Sequence, residues 1–190
     1  MLPPMADETV DGDGDARLVL AMPRRELFRI SGFTPRVGLE ILESLTDDSW
    51  YAAPETLNGN LDAKEVRLGL VLCRGQRDAE VLVGDGGLVL HTLSVPPGVG
   101  QLGPGVRALR ELAQATARQL LGCEGVRVEL IGCCNEDALP ETRRLFLLVY
   151  RCRIAVDAAA PAGMAWVAAS SLASLAVDPV SALIVPSLAR

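Results

Sequence analysis

The chain has one histidine, and aromatic residues make up only 4% of its 190 positions. A single imidazole excludes any metal centre built on several histidines. The five cysteines, Cys73, Cys123, Cys133, Cys134 and Cys152, are odd in number and form no CxxC pair. That pattern argues against a disulfide framework and against a structural zinc site, which needs paired Cys or His ligands at short spacing. Reduced thiols and a cytoplasmic location are the expectation. Positive charge is also short: the formal net charge is -6. A phosphate backbone needs a cationic face, so no nucleic-acid partner is expected. The Gly-rich run GVGQLGPG lacks the Gly-Lys-Ser/Thr ending of a phosphate loop, and no G-x-S-x-G elbow stands near a helix to pair with His91. The opening MLPPMADETVDGDGD has neither a basic stretch nor an apolar core, so it does not read as a signal peptide.

What remains is an ordinary globular composition, 49% apolar and 22% charged, on a length that suits one domain. The acidity is partly local. Asp7, Glu8, Asp11, Asp13 and Asp15 crowd residues 1–15, which read as a disordered acidic tail before a single domain over 16–190. The stretch Ala158 to Val177 runs twenty residues without a charge, long enough to cross a bilayer. It is mostly Ala and Ser, with Pro161 and Gly163 near its start, so a buried strand, loop and helix is expected and no membrane.

Hydrophobic periodicity sets out the elements. Arg17 to Met22 reads as a strand, and PRRELFRI as a turn of helix opened by Pro23. Thr34 is the expected cap of a helix over TPRVGLEILESL, with Val37, Ile41 and Leu45 on one face. Asp47 to Asn60 reads as a loop. EVRLGLVLCR reads as a strand buried on both faces, AEVLV as its hairpin partner and LVLHTLSV as a third extended run. Val106 to Leu121 forms the strongest helix, its apolar stripe running Val106, Leu109, Leu112, Ala113, Ala117, Leu120 and Leu121. Gly122 and Gly125 end it. VRVELIGCC and TRRLFLLVYRCRIAV are long strands around the loop NEDALPE. A last helix opens at Asp178 and Pro179. The interleaving implies a mixed β-sheet with helices on both faces.

A Gly-rich loop, an amphipathic helix, a Gly turn and a strand in this order resemble the Nudix superfamily, whose signature is G-x5-E-x7-R-E-U-x-E-E-x-G-U with U aliphatic. The stretch RQLLGCEGV lies on its second half. Arg118, Leu120, Gly125 and Val126 match; the three acidic positions hold Gln119, Gly122 and Cys123. Gly105 and Glu111 satisfy G-x5-E, but six residues rather than seven then separate Glu111 from Arg118, and one residue of offset turns a helical side chain by about 100°. LVLAMPRRELFRISGF, NEDALP and Trp166 are similar to segments of some bacterial Nudix-like proteins. The resemblance implies an α/β (α+β) fold, a Nudix-like mixed sheet sandwiched between helices.

Nudix enzymes cleave nucleoside diphosphates linked to another moiety, using helix glutamates to hold a divalent metal. Mg²⁺ wants hard carboxylate oxygens, whereas Gln119 is weak, Gly122 offers no side chain and Cys123 is soft. The expectation is therefore no catalytic residues, no resident metal and no cofactor, with Mg²⁺ required only by an alternative hydrolase drawing on Glu136, Asp137 or Glu141. Glu111, Arg118, Arg143 and Arg144 are the candidate ligand-binding residues, with one of the last two turned outward by strand alternation. The bland reading makes Glu111 and Arg118 solvated helix charges. A nucleoside-diphosphate-type ligand or a protein partner is the expected occupant. A scaffold associating through the Ala/Leu-rich C-terminal segment is the third reading, and a homodimer is compatible with it.

Overall fold

The computed structural model describes residues 18–98, 107–140, 142–155 and 157–188. Its axis is the apolar run after residue 62. The run forms β4, Ala63–Arg74, with almost every residue buried. A strand enclosed on both faces suits parallel pairing, because a parallel neighbour needs a long crossover that itself covers the sheet. The neighbour is β8, Leu145–Ile154, aligned in parallel from Glu65 opposite Leu145 to Arg74 opposite Ile154. β7, Arg127–Asn135, lies antiparallel on the far side of β8, and β2, Gly32–Pro35, pairs with the end of β7. On its other edge β4 takes three partners in turn. β1, Val19–Pro23, pairs with its start, β6, His91–Ser94, with its middle, and β5, Glu80–Val83, with its end. β3, Trp50–Ala52, adds to β1, and β9, Ala165–Ala168, adds to β5.

Strand alternation divides the apolar residues between two cores. Leu68, Leu70 and Leu72 of β4 face one side, against Leu109, Ala113 and Ala117 of α3 (Arg107–Leu121) and Ile41 and Leu45 of α1 (Leu39–Asp47). Val71 and Cys73 face the other, against Leu172 and against Ile184 and Val185 of α4 (Pro179–Leu188). Adjacent Cys133 and Cys134 fall one into each core, as alternation requires. Gly69 is needed in β4 because a Cβ there would lie 2.7 Å from Leu90 Cδ1. Asp178 caps α4, its Oδ1 accepting from the backbone N–H of Val180 at 3.0 Å and Ser181 at 3.1 Å. The C-terminal apolar segment is thus largely spent on the second core, and no helix among the described residues is long and apolar enough to cross a membrane.

Three local expectations are corrected. Thr34 caps no helix. It sits in β2 opposite Cys133, and Arg36 turns the chain at φ 67 before α1 starts after Gly38. The sheet edge of β7 offered backbone hydrogen bonds that outweighed the local capping signal. The stretch 47–60 is no plain loop: Trp50–Ala52 extends β1, and Pro54 opens a short helix, α2, Pro54–Asn58. Arg143 and Arg144 precede β8 in a turn, where Leu145 N–H donates to Thr142 O at 2.8 Å, so strand alternation does not govern them. The acidic tail, Gly105 and Val106 lie outside the described residues.

Candidate functional site

The turn after α3 is built by side chains of α3 itself. Gln114 Nε2 donates to Val126 O at 2.7 Å, and Arg118 Nε donates to Glu124 O at 3.1 Å. The Glu124 carboxylate lies 3.7 Å from the same Nε. Gly122 ends the helix at φ 61, the left-handed conformation glycine adopts without a Cβ penalty. Arg118 therefore fastens a turn. Glu111 Oε1 meets Arg107 Nε at 2.9 Å one helical turn away, both side chains exposed. Gln119 and Gly122 are exposed and Cys123 half-buried.

These donors do not fit Mg²⁺. Its ligands should be several hard oxygens at about 2.1 Å with near-octahedral spacing. The acidic positions of the motif carry an amide, no side chain and a thiol. Glu111 and Glu124 are each engaged by an arginine of the same helix. Among the described residues no group of three or more His, Cys, Asp or Glu side chains is placed to hold a metal ion.

A crevice of about 460 Å³ lies beside α3, lined by Arg67, Thr92, Leu93, Ser94, Pro96 and Leu112 among others. Its polar centre is Arg67 of β4. Arg67 Nε and its NH2 group donate to the Glu65 carboxylate at 2.7 and 3.2 Å, and Ser94 Oγ donates to Glu65 Oε1 at 2.8 Å. The fork of Arg67 is thereby held in one geometry, about one-third exposed. The sequence reading missed this triplet. Its signal was there: charges inside a strand read as buried on both faces need partners.

The loop NEDALPE has a structural task. Lys64, the only lysine of the chain, is fully buried. Its Nζ lies 2.7 Å from Asp137 Oδ1, and it donates to Asn135 Oδ1 at 2.5 Å and to Leu145 O at 3.4 Å. Asp137 Oδ2 takes Arg24 at 2.7 Å, and Asn135 Nδ2 donates to the carbonyls of Leu27 at 3.1 Å and Ile30 at 2.9 Å. Burial pushes the Lys64 ammonium below its usual range, against the pull of Asp137. Burial works to raise the Asp137 carboxyl, but Lys64 and Arg24 together hold it below its ordinary value. The cluster straps residues 24–30 onto the sheet and leaves Asp137 engaged. Glu136 accepts the Ala138 N–H at 2.8 Å, and Glu141 lies outside the described residues.

The candidate arginines do not converge. Arg143 donates to Asp137 O at 3.2 Å and Arg144 to Asn58 Oδ1 at 2.6 Å, both before β8 begins. Arg118 binds the turn leading into Arg127, which sits opposite Arg153 near the end of β8. The ten residues of β8 separate the two places, roughly 30 Å at about 3.3 Å per residue. Burial pushes the thiols of Cys73, Cys134 and Cys152 up to about 12 and that of Cys133 to about 11, so these four are neutral packing groups. Trp166 anchors the stretch before it: its Nε1 donates to Ala158 O at 3.0 Å, and Arg74 stacks 4.6 Å over its ring.

No protein-family model matches the chain, and no curated protein matches it. Among solved structures it is similar to Tm1382, a protein proposed to be a Nudix hydrolase. The TM-score is 0.74 at 14% identity, covering 90% of this chain and 98% of that one. The chain therefore has the Nudix fold, as the helix-turn signature implied. Looser matches are MutT from Aliivibrio salmonicida and Vibrio cholerae, at TM-score 0.43 and 12% identity over 65% of this chain and 94% of that one. A Sinorhizobium meliloti protein proposed to be an oxidoreductase matches at 0.46 and 18%, over 72% of this chain and 45% of that one. These two carry no argument. At such identities the likeness concerns the fold, and chemistry has to be argued from the site.

Proposed function

We propose that the chain is a Nudix-fold binding domain that takes a nucleotide-like ligand in the crevice beside α3 without metal-dependent hydrolysis. The observation that carries this reading is the state of the helix. Its three motif acids are replaced by Gln119, Gly122 and Cys123, and its remaining neighbours Glu111 and Glu124 are paired with Arg107 and Arg118. A helix so altered keeps the scaffold and loses the hard ligands that diphosphate chemistry needs. What supports binding is the crevice, where a braced guanidinium, two hydroxyl-bearing side chains and apolar walls stand together. An arginine fork suits a phosphate, and apolar surface suits a base or sugar face.

Calorimetric titration of a panel of nucleoside diphosphate derivatives, with and without Mg²⁺ and Mn²⁺, tests the proposal. The expected result is saturable heat independent of metal and abolished in Arg67→Ala. Metal-dependent binding accompanied by release of a nucleoside monophosphate would overturn it. So would a complete lack of nucleotide heat.

A further inference from the structure

The face of the sheet that carries α4 holds a second cavity, away from α3. Arg77, Asp78, Arg151, Arg153, Cys73 and Leu188 line about 300 Å³ there. That is the small end of the range for ligand pockets, roughly 300–1,000 Å³. Two of the arginines come from β8. They lie opposite Val71 and Cys73 of β4, where the second core gives way to polar side chains. Arg77 and Asp78 come from the turn joining β4 to β5.

The only carboxylate among the described residues of that wall is already engaged. Asp78 is 14% exposed, and its two oxygens accept from Arg153 at 2.7 and 3.0 Å, with Arg151 NH1 at 3.3 Å. Arg153 also reaches Glu129 at 3.1 Å. Arg151 has little else: its Nε is buried and has no hydrogen-bond partner among the described residues. The Arg77 side chain makes no hydrogen bond or ion pair with any described residue, and neither does the side chain of Arg127, which faces Arg153 across the β7–β8 pair. On a chain of net charge -6, this is a local excess of guanidinium with donors to spare. A buried donor without a partner is costly, and a bound oxyanion would remove that cost.

The backbone supplies an independent observation. Arg77 has φ 57 and Asp78 φ 60. Two successive non-glycine residues in the left-handed region are disfavoured, and hairpin turns of this kind usually recruit Asn-Gly. Strain of this sort persists only where surrounding contacts hold it, here the Asp78 pairs with Arg151 and Arg153, and it clusters at ligand clamps. Here it keeps Arg77 in the cavity wall.

The geometry points to a site for a phosphoryl group, as free phosphate or as the phosphomonoester end of a small molecule, held by Arg77, Arg151 and Arg153. A dianion matches the charge left when the four guanidiniums of Arg77, Arg127, Arg151 and Arg153 are offset by the carboxylates of Asp78 and Glu129. Cys73 supplies a neutral wall and takes no part in chemistry. The site is independent of the nucleotide reading, since it uses none of the residues of the crevice beside α3.

The test is calorimetric titration of the full chain with inorganic phosphate and, separately, with glycerol phosphate, at ionic strength matched by chloride. Saturable binding is expected. Arg77→Gly should weaken it at least about tenfold while leaving the melting temperature of the ligand-free protein unchanged or higher, because glycine accepts the positive φ. Arg151→Gln should weaken it similarly, and Arg67→Ala in the other crevice should leave it intact. Tighter binding of the ester would assign a phosphomonoester, and tighter binding of phosphate the free anion. The proposal fails if neither probe gives saturable heat, if binding survives both Arg77→Gly and Arg151→Gln, or if Arg67→Ala abolishes it instead.

Discussion

Lys64 Nζ lies 2.7 Å from Asp137 Oδ1, and the lysine end of this pair is fully buried while the aspartate end is 45% exposed. Asp137→Asn removes the counter-charge and leaves an ammonium enclosed beside neutral oxygens. The expected cost is about 2–3 kcal/mol, below the roughly 3–5 kcal/mol of a wholly buried pair because solvent screens the aspartate. Denaturant unfolding measures it. The double variant Lys64→Met with Asp137→Asn should recover part of the loss, since the enclosed ammonium is then gone and only Arg24 is left without its partner.

The same pair sets a pH dependence. The folded Asp137 carboxyl sits below its ordinary 3.8, because Lys64 and Arg24 outweigh the opposing effect of burial. Below 3.8 the unfolded chain therefore takes up a proton that the folded chain still refuses. Stability is present above that value and is lost as pH falls through the folded pKa. The stability gap between wild type and Asp137→Asn should accordingly narrow on acidification below about pH 4. A gap that stays constant down to pH 2 would contradict the ion pair.

Arg67 and Glu65 separate stability from binding. Arg67→Ala leaves the Glu65 carboxylate, in a residue only 8% exposed, with Ser94 as its remaining donor. A loss of about 1–3 kcal/mol is expected, together with loss of nucleotide heat. Glu65→Gln combined with Arg67→Ala should restore much of the stability and none of the binding. Arg67→Lys keeps the charge but not the planar fork, so it should bind weakly.

Glu111→Gln distinguishes an orphan metal ligand from a surface charge. The pair with Arg107 is exposed on both sides, which limits its contribution to about 0.3–0.5 kcal/mol. Mg²⁺ titrations of wild type and variant should be indistinguishable. A metal signal lost only in the variant would make Glu111 a metal ligand.

Gly69→Ala tests the packing of β4. The added Cβ would sit 2.7 Å from Leu90 Cδ1 and 3.0 Å from Cγ, and Leu90 is only 1% exposed with little room to yield. Thermal denaturation should report a loss of about 1–3 kcal/mol. A compensating Leu90→Ala should return part of it.

The long elements were legible because their patterns are long. β4, α3, β7 and β8 each repeat an apolar period often enough to outvote local noise. The short ones were not. β2 was hidden behind the cap and proline of Thr34–Pro35, because the hydrogen bonds that decide it come from β7, a hundred residues away in sequence. β3 exists only because β1 offers an edge. The same limit governs the sites. Replacement of the motif acids was readable directly, whereas Glu65 with Arg67, Lys64 with Asp137 and Arg77 with Arg151 depend on which strand ends meet. In the sequence Arg143 and Arg144 read as strand residues because the apolar run after them has no marked beginning, whereas the Thr142 turn holds them outside it.

The burial of Lys64 has a practical side. Every other cationic side chain is arginine, so apart from the amino terminus the chain carries a single amine. Lys64 is fully buried, so acylating and methylating reagents reach that amine only when the cluster around it opens. The labelling rate of one atom thus counts the openings of that cluster, without any engineered probe. A single methylated lysine would likewise give one resolved resonance whose titration reads its surroundings directly.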